Sequence, residues 1–236
     1  MTSIALLQMT GGIDVDCNAE ILTHAVAEAG TAGAAMLFTP ELSGIVDQHA
    51  GRDSAKYQTE GDDQVLYRIR KAVRDAGLWV HLGSLTVRRD DGRLANRGFV
   101  IDDEGQVRAR YDKLHLFDVD LPTGETWRES ATYAAGETAN LVATPVGLLG
   151  LAICYDLRFP DLFRTLSDAG ADILSVPAAF TRPTGGSHWH VMLRARAIEA
   201  GAWVVAAAQG GRHEDGRETY GHSLVVDPWG DVVLDM

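Results

Sequence analysis

Cysteine is scarce: 236 residues hold two, Cys17 and Cys154, too few for a disulfide framework and with nothing else pointing to secretion. Basic clusters are also lacking. Lys and Arg total 21 against 33 Asp and Glu, a formal charge of −12. The stretches RIRKAVR at 68–74 and VRR at 87–89 are too short to build a phosphate-binding face, which argues against a nucleic-acid partner. No apolar run reaches the length of a membrane span, and the opening MTSIALLQMTGGID has no positive n-region of a signal peptide. A soluble, cytoplasmic protein is expected. What is present is an ordinary globular balance, 46% hydrophobic and 23% charged, enough to bury a substantial core without staples.

Apolar runs at 3–9, 34–39, 78–85, 172–176 and 203–208 read as strands. Helical patterning covers 17–29, 62–76, 161–169 and 187–200, with Gly30, Gly77 and Gly170 ending the first three. Turn signals at 103–105, 145–147 and 228–230 read as three hairpins. Strand–helix–strand units beside hairpins give a mixed-sheet α/β domain. Residues 1–236 read as one domain, and a natural C-terminal segment is expected beyond Met236.

Three side chains stand out chemically. Cys154 ends the apolar run 148–153 and opens a polar turn before Arg158-Phe159-Pro160. A thiol where a strand meets a helix start lies near backbone N–H groups that stabilise a thiolate and an adjacent oxyanion; the alternative is a small buried hydrophobe. Glu41 follows Pro40 at a strand end. Held against apolar neighbours, its carboxyl would be raised toward neutrality and serve as a base; the alternative is a loop or helix-start charge. Lys113, between apolar residues in YDKLHLF, could hold charge developing on oxygen or simply extend to water. Cys17 opens a helix and reads as packing. His188 and His190, two apart on a helix, point apart, and no zinc spacing is present. His24, His49, His81 and His213 read as structural or surface residues, and the paired glycines form no phosphate loop.

In the order Glu41, Lys113, Cys154, with the flanks FTPELS, YDKLHLFDVD and GLAICYDLRFP, the chain resembles the nitrilase superfamily of carbon–nitrogen hydrolases. AGADILSVPAAF, HWHVMLRARAIEAGAWVVAAAQGG and YGHSLVVDPWG extend the resemblance along essentially the whole length. Two amidase groups are nearest. The segment HLFDVDLP suits the omega-amidases, and the C-terminal third is more like the deaminated glutathione amidases. His190 stands where those groups commonly have Glu, and Thr219 where Ser is frequent.

The resemblance implies a four-layer αββα sandwich that often pairs into dimers, a Glu–Lys–Cys triad, and a second glutamate matched by Glu129. It implies a thiol amidase acting through a thioester, with no metal or organic cofactor. Glu41 would be the base, and Lys113 and the backbone N–H of Tyr155 the oxyanion donors. Arg158, four residues past the nucleophile, is a candidate clamp for a substrate carboxylate; a salt bridge to Asp156 or Asp161 is the alternative. The expected substrate is the 2-oxo acid amide of deaminated glutathione. The other readings are 2-oxoglutaramate, a nitrile or carbamoyl compound, and a non-catalytic scaffold.

Overall fold

The computed structural model describes residues 2–47, 56–121 and 124–236; His49 and Pro122, the last residue of HLFDVDLP, lie outside them. The first sheet runs β1 (Ile4–Leu6), β2 (Met36–Phe38), β3 (Trp79–Arg88), β4 (Leu94–Ile101) and β5 (Val107–Asp112) in spatial order, with β1, β2 and β3 parallel and the rest antiparallel. A small hairpin, β6 (Asp118–Asp120) and β7 (Thr126–Arg128), follows. The second sheet contains β8 (Leu141–Thr144), β9 (Gly147–Leu151), β10 (Ile173–Ser175) and β11 (Trp203–Ala206). A short hairpin of β12 (Gly210–Arg212) and β13 (Glu218–Tyr220) intervenes before β14 (Leu224–Val226) and β15 (Val232–Asp235) complete it. Its spatial order is β15-β14-β11-β10-β9-β8, parallel at β9–β10–β11.

Helices α1 (Val15–Thr31) and α2 (Gln64–Ala76) lie on the first sheet. Leu22 and Val26 of one and Leu66, Ile69 and Val73 of the other pack with Leu37, Val80 and Leu82. Helices α3 (Pro160–Asp168) and α4 (Arg182–Ala200) pack through Phe163, Leu166, Trp189 and Leu193 against the second sheet. Met36, Phe38, Val100 and Tyr111 join that same cluster from the first sheet. The layers therefore run helices, sheet, sheet, helices, the αββα sandwich.

Most elements fall where the periodicity puts them, and the departures have physical causes. Helix α1 continues through Gly30, where an added Cβ would meet Ala76 at 3.0 Å, so close packing against α2 retains the glycine. Helix α4 begins at Arg182, not at 187, because Pro183 and Gly185 occupy its first turn, where proline is tolerated. The Cβ of any larger residue at 185 would run into Tyr220 at 2.3 Å. Cys17 is not a packing residue: α1 starts two residues earlier and leaves the thiol exposed. His81 and His213 are buried, and His24 is on the surface.

Candidate active site

The C-terminal ends of strands deliver the chemistry-bearing residues, the edge where open α/β sheets collect ligands. Glu41 follows β2, Lys113 follows β5 and Cys154 follows β9. All three are buried, at 3%, 2% and 8% exposure. Lys113 Nζ donates to Glu41 Oε1 at 2.9 Å and to Glu129 Oε2 at 2.9 Å. Asn96 Nδ2 donates to Glu41 Oε1 at 2.8 Å and Glu129 Oε1 at 3.2 Å, so one amide and one ammonium tie the two carboxylates together. Glu41 Oε2 accepts from the Ala179 backbone N–H at 2.8 Å, and its carboxylate is hydrogen-bonded to the Cys154 thiol. Glu129 Oε2 also accepts from Phe117 N at 2.6 Å.

The charges follow from this packing. Burial alone would raise the Glu41 carboxyl, but the Lys113 ammonium and hydrogen bonds from Cys154, Lys113 and Asn96 hold it below the usual range. The sequence-based expectation of a raised Glu41 is thus corrected: the paired ammonium and the hydrogen bonds together outweigh the apolar setting. Burial opposes the charge on Lys113, yet Glu129 and Glu41 keep it protonated well above its ordinary value. Burial and the facing Glu41 charge push the Cys154 thiol well up despite Lys113. At neutral pH the site is therefore carboxylate, ammonium and neutral thiol.

Strain marks the same positions. Non-glycine residues with positive φ, among those described, are Leu42 (54°), Cys154 (50°) and His222 (52°), and two of them belong to the site. Cys154 opens a 3₁₀ turn, Cys154–Arg158. Its N–H donates to Pro177 O at 2.9 Å. Arg196 of α4 donates through Nε and Nη2 to Leu157 O at 3.1 and 3.0 Å. Asp156, fully buried, accepts Ile153 N (2.9 Å), Tyr111 Oη (2.7 Å) and His115 N (2.9 Å), and bonds His115 Nδ1 at 2.7 Å. One carboxylate thereby ties the turn that Cys154 opens to the segment carrying Lys113.

The sequence model described as Carbon-nitrogen hydrolase matches residues 3–236. The chain belongs to the carbon–nitrogen hydrolase family. Deaminated glutathione amidase of Yersinia enterocolitica is 38% identical over 98% of this chain and 81% of its own. The protein of that name from Homo sapiens is 40% identical over 98% of this chain and 72% of its own. The C. elegans NitFhit structure superposes with TM-score 0.90 at 39% identity, covering all of this chain and 59% of that one. An amidase from Nesterenkonia sp. AN1, carrying the product of Michael addition of acrylamide at its active-site cysteine, gives 0.86 at 29% identity, over 100% of this chain and 89% of that one. Family and amidase relatives together make this protein a hydrolase of C–N bonds.

In this carbon–nitrogen hydrolase a cavity of about 430 Å³ opens over Cys154, Glu41, Lys113 and Glu129. Arg158 lines it and makes no ion pair with Asp156 or Asp161; among the described residues its guanidinium meets only His188 Nδ1 (3.3 Å), Met192 Sδ (3.9 Å) and the faces of Tyr155 and Phe180. Asn96, Asp156, Trp127 and Arg217 were not singled out by sequence reasoning. Asp156 had a usable signal, an acid two residues past Cys154 where an apolar strand ends. Asn96 and Arg217 had none, because only the fold brings them in. One set of metal-capable side chains converges among the described residues, away from this cavity: His190, His222 and Asp235, ligand atoms within 4.8 Å. There Asp235 is held between both imidazoles at 3.1 and 2.8 Å.

Proposed function

We propose that this carbon–nitrogen hydrolase is a thiol amidase that cleaves deaminated glutathione at its 2-oxo acid amide. The observation that carries the reading is the buried trio Glu41, Lys113 and Cys154, with partly buried Glu129 beside it, at the floor of one cavity in a chain of this family. Glu41 takes the Cys154 proton as sulfur attacks the amide carbonyl carbon. Lys113 and the backbone N–H of Tyr155 hold the tetrahedral oxyanion, each such donor contributing about 10²–10³ in rate. Glu41 returns the proton to the leaving nitrogen, the C–N bond breaks, and a thioester remains on Cys154. Water, deprotonated by Glu41, then releases the acid and restores the thiol. Glu129 fixes Lys113 against withdrawal toward solvent.

Arg158 clamps the carboxylate of the 2-oxo acyl half, a role supported by its lack of an anionic partner in the described protein and by its seat between two rings. Relatives named deaminated glutathione amidase at 38–40% identity support the substrate. Apolar side chains exposed together on α4 (Val191, Ile198) and at the turn and strand of 229–234 support a homodimer. Among the described residues no helix is long and apolar enough to cross a membrane, and a free exposed Cys17 suits the reducing cytoplasm we assign to this single-domain enzyme.

The test is product release. Deaminated glutathione should give a dipeptide and 2-oxoglutaramate should give ammonia, both lost in Cys154→Ala. Inertness toward both, with turnover of a nitrile or carbamoyl compound, would replace the substrate reading.

A further inference from the structure

Three arginines line the catalytic cavity: Arg128, Arg158 and Arg217. Arg128 has both Nη groups engaged, Nη2 on both oxygens of Asp120 (2.8 and 3.0 Å) and Nη1 on the carbonyls of Val119 and Trp127. Arg217 is different. Its Nε is held by Asp215 Oδ2 at 2.8 Å and its guanidinium carbon lies 5.4 Å from the centre of the Trp127 ring. The side chain is only 12% exposed. Its two Nη groups meet no hydrogen-bond acceptor among the described residues. An arginine locked at Nε by a carboxylate and set over an aromatic ring presents its outer edge preorganised, the geometry that receives a carboxylate in two parallel bonds.

Arg158 and Arg217 sit at opposite ends of a row of rings along the cavity. Arg158 stacks on Tyr155, Tyr155 meets Phe117 at 5.1 Å, Phe117 meets Trp127 at 6.1 Å, and Trp127 carries Arg217. Arg158 ends the same 3₁₀ turn that Cys154 begins, so it belongs with the acyl half that stays on sulfur. The far cation then faces the half that leaves. We propose that Arg217, held by Asp215 and Trp127, forms a subsite for a carboxylate on the leaving amine, selecting amides of peptide-like acids over amides that release ammonia. The inference rests on the amidase reading above and deepens it: a leaving dipeptide ends in a carboxylate, whereas ammonia has none.

The experiment compares kcat/KM of the wild type and of Arg217→Met on three substrates: deaminated glutathione, the same compound with its terminal carboxylate capped as a carboxamide, and 2-oxoglutaramate. All three leave the same acyl group on the enzyme, so differences report the leaving side. The wild type should prefer the free carboxylate to the cap by about tenfold, mainly through KM. In Arg217→Met, which keeps an apolar stem over Trp127, that preference should collapse toward one. The ratio of deaminated glutathione to 2-oxoglutaramate should fall about tenfold, and Arg217→Lys should recover part of it. An equal loss on all three substrates, or a preference for the free carboxylate that survives Arg217→Met, would overturn the subsite. Should the variant not fold, the wild type alone decides, since equal rates on free and capped substrate overturn the idea. Turnover of 2-oxoglutaramate without deaminated glutathione would sink the substrate reading and the subsite together; turnover of both without discrimination sinks the subsite alone.

Discussion

As the base we propose, Glu41 stays ionised because an ammonium, an amide and a thiol all donate to it. Its role as proton acceptor for Cys154 is therefore available until the pH falls below the ordinary carboxylate range, about 4.3. Cys154 and Lys113 are both pushed upward, so neither changes state near neutrality. The pH profile of kcat/KM should show a broad plateau with its acid limb low; a limb centred near 7 would contradict this account of the site. Asn96→Asp would place a third carboxylate against Glu41 and Glu129, and like charge raises a carboxyl. The acid limb should then move to higher pH, and an unmoved limb would show that Asn96 does not tune the base. Glu41→Gln removes the acceptor and should lower kcat by about 10²–10⁴, measured on whichever amide the wild type turns over.

Elements meet at the site through a few close approaches. Gly83 on β3 is one: a Cβ there would lie 2.1 Å from Thr39 O, 2.4 Å from Pro40 O and 2.6 Å from Pro177. The segment carrying Glu41 and the one hydrogen-bonded to Cys154 both press on that glycine. Gly83→Ala should displace Glu41 and cost activity well beyond its loss of stability; full activity in a folded variant would contradict it. Asp156→Ala would orphan the donors of Tyr111, Ile153 and His115 at once, a loss on the order of 3–5 kcal/mol read by denaturant unfolding. These couplings explain what was legible in the sequence. Strand ends holding Glu41 and Cys154 could be read from apolar runs and their polar stops, and the strand before Lys113 from the turn residues of its hairpin. The β6–β7 and β12–β13 hairpins could not, because three-residue strands such as Asp118–Asp120 and Gly210–Arg212 are too short to show a period. Nor could the direction of the Glu41 shift, since Lys113 lies 72 residues away in the chain and only the folded contact sets the sign.

At the scale of the whole molecule two sheets must stay clasped for Glu41, Lys113 and Cys154 to meet. His81 of β3 reaches Ser175 of β10 across that interface, Nδ1 to Oγ at 2.9 Å, and burial lowers its imidazole to about 3. The unfolded chain binds this proton near pH 6.5, the folded one near 3, so stability is complete above the first value and drains away as pH falls toward the second. Between about pH 4 and 6, wild-type unfolding free energy should fall more steeply than that of His81→Asn, by about 1.4 kcal/mol per pH unit. Parallel slopes would mean that His81 does not resist protonation in the fold. The claim on which the functional account turns is that Cys154 carries the acyl group during turnover. Intact mass of enzyme quenched in acid during hydrolysis of deaminated glutathione measures this most directly. The account predicts a mass gain of one 2-oxo acyl group located on Cys154 and absent from Cys154→Ala. Steady turnover with no such adduct, and undiminished turnover in Cys154→Ala, would contradict it.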